Sequence, residues 1–239
     1  MLVPRGGPWG RAVAARLLEH GADPVIAPMI EFAEVDDAEA LASGLGRLAE
    51  GDFDWLVVTS ATTVHLLDGV AVPATTRIAA VGETTAAALV AAGLRVDFVP
   101  SADFSADALV SEWPTAAGLR IFLPQSAIAE PTVADGLRAA GNRVEAVAAY
   151  RTIGVGVAQA IVDEVRSRDI QVILVTSGSI AREVAAQLAP IPATTIIACI
   201  GPRTAVEARA VGLEVGLVAE QRSIESMIHS IIQFAEARP

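Results

Sequence analysis

Hydroxyl residues recur at two short turns of this chain, where they could meet a ligand. Thr59 and Ser60 follow the apolar run LVV, and Thr176 and Ser177 follow ILV. Each pair lies where a strand gives way to a helix. The serine can therefore serve as a helix N-cap. It can also serve as a contact in the crevice outside the carboxyl ends of an open α/β sheet. Two further turns, Gly82–Thr85 and Gly201–Thr204, read VGxxT and IGxxT. Glycine lets the backbone approach a ligand or take an otherwise strained turn. The helix that follows offers free N–H groups and a dipole that favour an anion. Thr85 and Thr204 add hydroxyl donors in the first turn. A tight strand-to-helix turn without a ligand would explain either turn taken singly. Their duplication points instead to a cleft lined twice.

Arg5, Arg151, Arg203 and Arg222 stand at predicted loop ends, with Arg5 the foremost carboxylate partner and Arg203 equally readable as a solvated helix residue. Tyr150, the one tyrosine of the chain, stands at the end of a predicted strand in AAYRT. Two roles are open to it: packing residue with a bonded hydroxyl, or general acid facing the cleft. Other chemistries find no support. Gly6, Gly7 and Gly10 match neither nucleotide-loop spacing, and Pro8 interrupts them. His20, His65 and His229 are far apart, and no Cys or carboxylate cluster has metal-ligand spacing. No serine sits in a GxSxG elbow. Cys199, inside IIACI, reads as a buried, inert thiol.

The elements that must hold these residues are short β-branched runs alternating with Ala-rich helices. Strands are predicted at Leu56–Val58, Ile78–Val81, Ile121–Leu123, Val172–Val175 and Ile196–Ile200. Each is apolar on both faces, as a covered parallel sheet requires. Helices are predicted at Gly10–His20, Thr84–Ala92, Pro131–Ala140, Ser179–Leu188 and Pro202–Val211, many of them stopped by glycine. The alternation means an α/β doubly wound fold.

The chain also repeats itself. LVVTSATTVHLL (56–67) matches ILVTSGSIAREV (173–184), and AAVGETTAAALVAAGLRVDFV (79–99) matches ACIGPRTAVEARAVGLEVGLV (198–218). FSADALV and RSIESMI then align Ser105 with Ser223. Residues 2–32 and 121–152 match as strand, helix, glycine stop and second strand. The unit is about 119 residues long, the separation of Gly82 from Gly201 and of Thr85 from Thr204. Two similar domains follow. A cut into simple halves near residue 119 and an interleaved division are both open.

With 53% apolar and 19% charged residues the chain is globular and not disordered. No apolar run reaches the roughly 18–20 residues that cross a bilayer. MLVPRGGPWG lacks a leader profile, and a strand so near the start leads us to expect further residues upstream. One cysteine and no leader point to the cytoplasm. A net charge of −11 excludes a nucleic-acid or anionic-membrane surface. It leaves anions to helix N-termini, whose partial charges escape a net-charge count.

WLVVTS (55–60), AVGETT (80–85), YRT (150–152), ILVTSGS (173–179) and CIGPRT (199–204), in this order and spacing, resemble the uroporphyrinogen-III synthase family from Val3 to about Ile228. The resemblance implies two flavodoxin-like parallel-sheet domains joined by a two-stranded hinge near PMIEF and AAYRT. One domain would be 1–33 with 153–239, the other an inserted 36–149. It also implies cyclisation of hydroxymethylbilane, a linear tetrapyrrole with eight carboxylates, to uroporphyrinogen III without a cofactor. Tyr150 matches the family tyrosine proposed to help the hydroxyl leave. The resemblance carries over Ser60, Thr85, Thr176, Ser177 and Thr204; with Arg5, Thr59, Gly82, Ser101, Ser126 and Gly201 they make the candidate substrate-binding set. No metal, nucleic-acid or membrane partner is expected, and the expected state is a monomer. Rival readings are a ligand-sensing domain of the same fold from a regulator, an exported two-lobed binding protein, or part of a longer fusion. No DNA-binding module is seen, since only a helix end, HSIIQFAEARP, follows Ile228.

Overall fold

A computed structural model describes residues 1–101, 105–114 and 117–236. Phe104 of the segment FSADALV and the last three residues of HSIIQFAEARP lie outside them. The chain begins with β1 (Leu2–Val3), α1 (Gly7–Glu19) and β2 (Val25–Ile26). It continues with β3 (Ile30–Ala33), α2 (Ala38–Ala49), β4 (Trp55–Val58), α3 (Ala61–Val64), β5 (Arg77–Ala80), α4 (Glu83–Ala91) and α5 (Ala106–Ser111). Next come β6 (Arg120–Ser126), α6 (Thr132–Ala139), β7 (Arg143–Gly154), α7 (Gln159–Arg166), β8 (Val172–Val175) and α8 (Gly178–Leu188). Last are β9 (Ile196–Cys199), α9 (Pro202–Ala210), β10 (Val215–Val218) and α10 (Ile224–Glu236).

These elements fall into two compact units. Unit 1 joins Met1–Glu31 to the chain from Ile153 onward, and unit 2 is Phe32–Thr152. The sheet of unit 1 has the order β10-β9-β8-β1-β2, with its recorded pairs parallel. Numbered within the unit, that is the 2-1-3-4-5 order of flavodoxin-like sheets. In unit 2 the order is β3-β7-β6-β4-β5, and the β7-β6, β6-β4 and β4-β5 pairs are parallel. A parallel bridge from Ala79 to Phe98 extends it beyond β5. Through the repeat, β6, β7, β4 and β5 stand for β1, β2, β8 and β9, so the strand order is the same although the chain order is rotated.

Strand alternation explains why both faces of the central strands are apolar. Ile173 and Val175 join one core cluster of unit 1 with Ile180 and Val184 of α8. Val172 and Leu174 join the other, with Val13 and Leu17 of α1 and Met227 of α10. In unit 2, Leu56 and Val58 face Leu48 of α2 and Leu89 of α4, while Trp55 and Val57 face Leu109 of α5 and Leu137 of α6.

Glycine stops end the helices as the sequence predicts. Gly21 and Gly141, equivalent in the repeat, have φ of +75° and +85°. The amides after them close onto the last helical turn, Ala22 N–H donating to the Leu17 carbonyl at 3.0 Å and Asn142 N–H to Leu137 at 3.2 Å. Three elements differ from expectation. Helix α1 starts at Gly7, three residues early, because Pro8 needs no donor in a first turn. Strand β6 runs through Pro124 to Ser126, and only its first part pairs with β4, so the proline breaks no ladder on that side. Helix α3 has four residues where its counterpart α8 has eleven.

Candidate functional site

In unit 2 the strand ends bring several of the predicted residues to one edge. Ser60, after β4, is a true N-cap: its backbone is extended and its Oγ accepts from the Thr62 amide at 3.1 Å. The same oxygen accepts a second hydrogen bond, from the Tyr150 hydroxyl, also at 3.1 Å. Cap and contact therefore coincide in one side chain. Tyr150 is 9% exposed, and Phe32 meets its ring edge-on, with centroids 5.3 Å apart. Ser126 is the register partner of Tyr150, beyond an irregularity in the β6–β7 ladder, and its Oγ accepts from the Ile128 amide at 3.4 Å. Thr59 precedes Ser60 and is half-buried. Gly82 closes the turn after β5, and Thr85, in the first turn of α4, is buried.

Ser101 stands apart from this group. It is exposed, and both its amide and its hydroxyl donate to the Glu112 carboxylate, at 2.7 and 2.9 Å. Among the described residues no hydrogen bond joins it to Ser60, Ser126 or Tyr150.

Unit 1 carries the matching edge. Arg5 follows β1, half-buried, with its guanidinium 5.0 Å from the centroid of the Trp9 ring. Thr176 and Ser177 follow β8, and Ser177 caps α8 by accepting from Ile180 N–H at 3.3 Å. Gly201 and Thr204 open α9, Thr204 being buried at the same helical position as Thr85. Arg203 pairs with Glu207 one turn on, at 3.3 Å, as a solvated helix residue would. Arg151 is held in unit 2 by the Glu34 carbonyl at 3.0 Å and Asp36 at 3.3 Å.

Three features of these turns limit how each could meet a ligand. Gly82 and Gly201 have φ of −167° and 179°, which is extended backbone open to any residue, so the turns are unstrained. A Cβ on Gly201 would meet only the Arg222 side chain, at an ordinary 3.7 Å. Neither backbone strain nor lack of room for a Cβ therefore requires glycine at 201. Helix α3, of four residues, is too short to present a dipole, so what Ser60 offers a ligand is its hydroxyl. The first turn of α8 already faces a carboxylate: the space a Cβ of Gly178 would fill is taken by Glu207. That turn is no open anion site while Glu207 stays.

Phe32 and Glu207 were not singled out from the sequence. Phe32 had a signal, as the one aromatic residue of PMIEF, the segment that matches AAYRT. Glu207 had none, because its reach to Gly178 depends on how α9 packs beside α8. Among the described residues, no group of three or more His, Cys, Asp or Glu could hold a metal ion. No described helix is long and apolar enough to cross a membrane. Cys199 is fully buried, and burial pushes its thiol up to about 11.

Each unit is thus a parallel α/β sheet of flavodoxin-like order with hydroxyl residues, glycines and helix starts along its carboxyl edge. Comparison with known proteins takes the class further. Residues 11–229 match the family model for uroporphyrinogen-III synthase HemD. The chain belongs to the uroporphyrinogen-III synthase family. It is 27% identical over 245 residues to a porphyrin biosynthesis protein HemD of Ruminiclostridium josui, covering 98% of this chain and 48% of that protein. The chain thus spans about half the length of that relative. It is 26% identical over 258 residues to a uroporphyrinogen-III synthase of Synechococcus elongatus, covering 98% and 95% of the two chains. Among solved structures, a mutant uroporphyrinogen III synthase of Thermus thermophilus matches with a TM-score of 0.66 at 18% identity, over 98% of both chains. A uroporphyrinogen-III synthetase of Helicobacter pylori matches with a TM-score of 0.62 at 14% identity, over 89% and 93%. Both share the fold.

Proposed function

We propose that this chain converts hydroxymethylbilane to uroporphyrinogen III, losing water and inverting ring D. Family membership across residues 11–229 is the observation that carries this reading. The bonded pair of Tyr150 and Ser60 at the carboxyl edge of unit 2 supports it.

In the proposed reaction the Tyr150 phenol protonates the departing hydroxyl, which leaves as water and gives an electrophilic azafulvene. The far ring attacks through its substituted carbon to form a spiro intermediate, which fragments and recloses with that ring inverted. The macrocycle also closes unaided to the uninverted isomer, so the protein must hold the chain in the conformation that leads to inversion. No cofactor enters. General acid help is worth about 10²–10⁴-fold, and the choice of isomer comes from binding. Binding is assigned to Thr59, Ser60, Gly82, Thr85, Ser101 and Ser126 of unit 2 and to Arg5, Thr176, Ser177, Gly201 and Thr204 of unit 1. The first turn of α8, which Ser177 caps, requires Glu207 to give way, and Ser101 requires its hydroxyl to leave Glu112. The reading further takes 36–149 as an inserted domain, PMIEF and AAYRT as hinge strands, and the protein as a cytoplasmic monomer with no nucleic-acid or membrane partner.

The test supplies hydroxymethylbilane and separates products into isomers I and III. Isomer III formed faster than spontaneous closure is expected. Isomer I alone, at the spontaneous rate, overturns the reading. Tyr150→Phe is expected to slow isomer III formation while the protein still binds substrate. Full turnover by that variant removes Tyr150 from the mechanism and leaves the rest standing.

A further inference from the structure

We propose that unit 2 carries a second site, at the amino ends of β6 and β7, that binds a small multivalent oxyanion. It lies at the end of the sheet opposite to Ser60, Gly82, Ser126 and Tyr150. A surface pocket of about 500 Å³ there is lined by Arg47, Arg120, Arg138 and Arg143, with Phe53 and Glu145. The chain carries 17 cationic side chains, all arginine, against 28 acidic ones. Four of the 17 meeting in one pocket therefore runs against the charge of the whole.

The ladder makes the crowding specific. Arg120 and Arg143 are the first residues of β6 and β7 and are register partners, so their Cα atoms are held one strand spacing apart, about 4.8 Å. Like charges in that arrangement repel. Protein carboxylates relieve the repulsion unevenly. Arg47 is fully engaged: it donates to Asp52 at 3.1 Å and to Glu145 at 2.6 Å, and lies 4.9 Å from the centroid of the Phe53 ring. Arg138 is held by Asp135 and by the Val144 carbonyl, both at 3.1 Å. These two also stand in the last turns of α2 and α6, where a cation complements the helix dipole. Arg120 has only long contacts, 3.7 Å to Asp52 and 4.0 Å to Asp54. Arg143 is exposed and forms no ion pair among the described residues. Structural pairing thus explains Arg47 and Arg138 but leaves Arg120 and Arg143 as a fork of guanidinium donors aimed at one pocket. Such a fork suits the oxygens of a phosphate or a polycarboxylate.

Isothermal titration of the full chain with pyrophosphate, and separately with citrate, tests this at low salt, where exposed charges are least screened. We expect binding of at least one anion that Arg143→Ala weakens about tenfold and Arg143→Glu removes, each with an unchanged urea midpoint. Arg166→Ala, an exposed arginine of unit 1, should leave it intact. Tighter pyrophosphate identifies the ligand as a phosphate; tighter citrate identifies a polycarboxylate. The proposal fails if neither anion binds, if Arg143→Glu binds as wild type, or if Arg166→Ala weakens binding equally. None of these outcomes depends on the synthase assay.

Discussion

The hydrogen bond between Tyr150 and Ser60 joins residues 90 positions apart, and its energy can be isolated by a double-mutant cycle. Tyr150→Phe removes the hydroxyl donor and leaves the ring packed on Phe32; a buried neutral hydrogen bond is worth about 1 kcal/mol net. Ser60→Ala removes the same bond and the cap on the Thr62 amide, itself worth about 1 kcal/mol. The single variants should therefore lose about 1 and about 2 kcal/mol. The double variant should lose about 2 and not about 3, a coupling of about 1 kcal/mol. Urea unfolding reads this directly, since 1 kcal/mol moves the midpoint by about 0.5 M for an m-value near 2 kcal/mol/M. Unit 2 supplies its own probe in Trp55 and Trp113, whose rings lie 4.8 Å apart. A Trp9→Phe background silences unit 1. Additive losses, with coupling below about 0.3 kcal/mol, would show that the two hydroxyls do not bond in solution and refute the geometry on which Tyr150's placement rests.

Other variants test packing and charge. Gly44 and Gly46 both lie in α2, yet their replacement by alanine should act in opposite directions. A Cβ on Gly44 would come within 2.5 Å of the Phe122 ring, whereas one on Gly46 meets nothing within 4 Å. Gly44→Ala should cost about 1–3 kcal/mol by overpacking, and Gly46→Ala should gain about 0.5–1 kcal/mol, both read from urea midpoints. Because burial holds the Cys199 thiol up near 11, its neutral form is favoured in the fold. Its stabilising contribution is intact below about pH 8.5, where the unfolded thiol is also neutral, and is lost as pH rises towards 11, by about 2 kcal/mol at pH 10.5. Cys199→Ala should flatten that alkaline slope, which an equal slope in the variant would contradict. A thiol reagent at pH 7.5 should label Cys199 only after denaturant is added.

Strand runs such as LVV and ILV were legible because both faces of a covered sheet must be apolar, and alternation in the two cores of each unit bears that out. Helix stops were legible because Gly21 and Gly141 need a left-handed backbone. The length of the helix after Ser60 was not, since the matched segments give four residues in one unit and eleven in the other. In unit 2 a 3₁₀ turn, His65–Leu67, takes over directly after α3. The edge residues could be named from duplicated turns, but their bonds could not. Nothing local in SADF tells that Ser101 donates to Glu112, or that Glu207 covers Gly178. Glycine in VGxxT allows either a strained turn or the close approach of a ligand, and its extended dihedrals remove the first.

Neither unit is made from one copy of the repeat. The sheet of unit 1 takes β1 and β2 from the first copy and β8 to β10 from the second, while unit 2 takes β4 and β5 from the first and β6 and β7 from the second. A protease nick just before β6, at the boundary between copies, would leave two fragments that each hold part of both sheets and complete neither. Nicks at residues 31 and 152, by contrast, would cut through β3 and β7 but release one continuous polypeptide that holds β4, β5 and β6 whole. Sequence ancestry and mechanical integrity divide this chain along different lines.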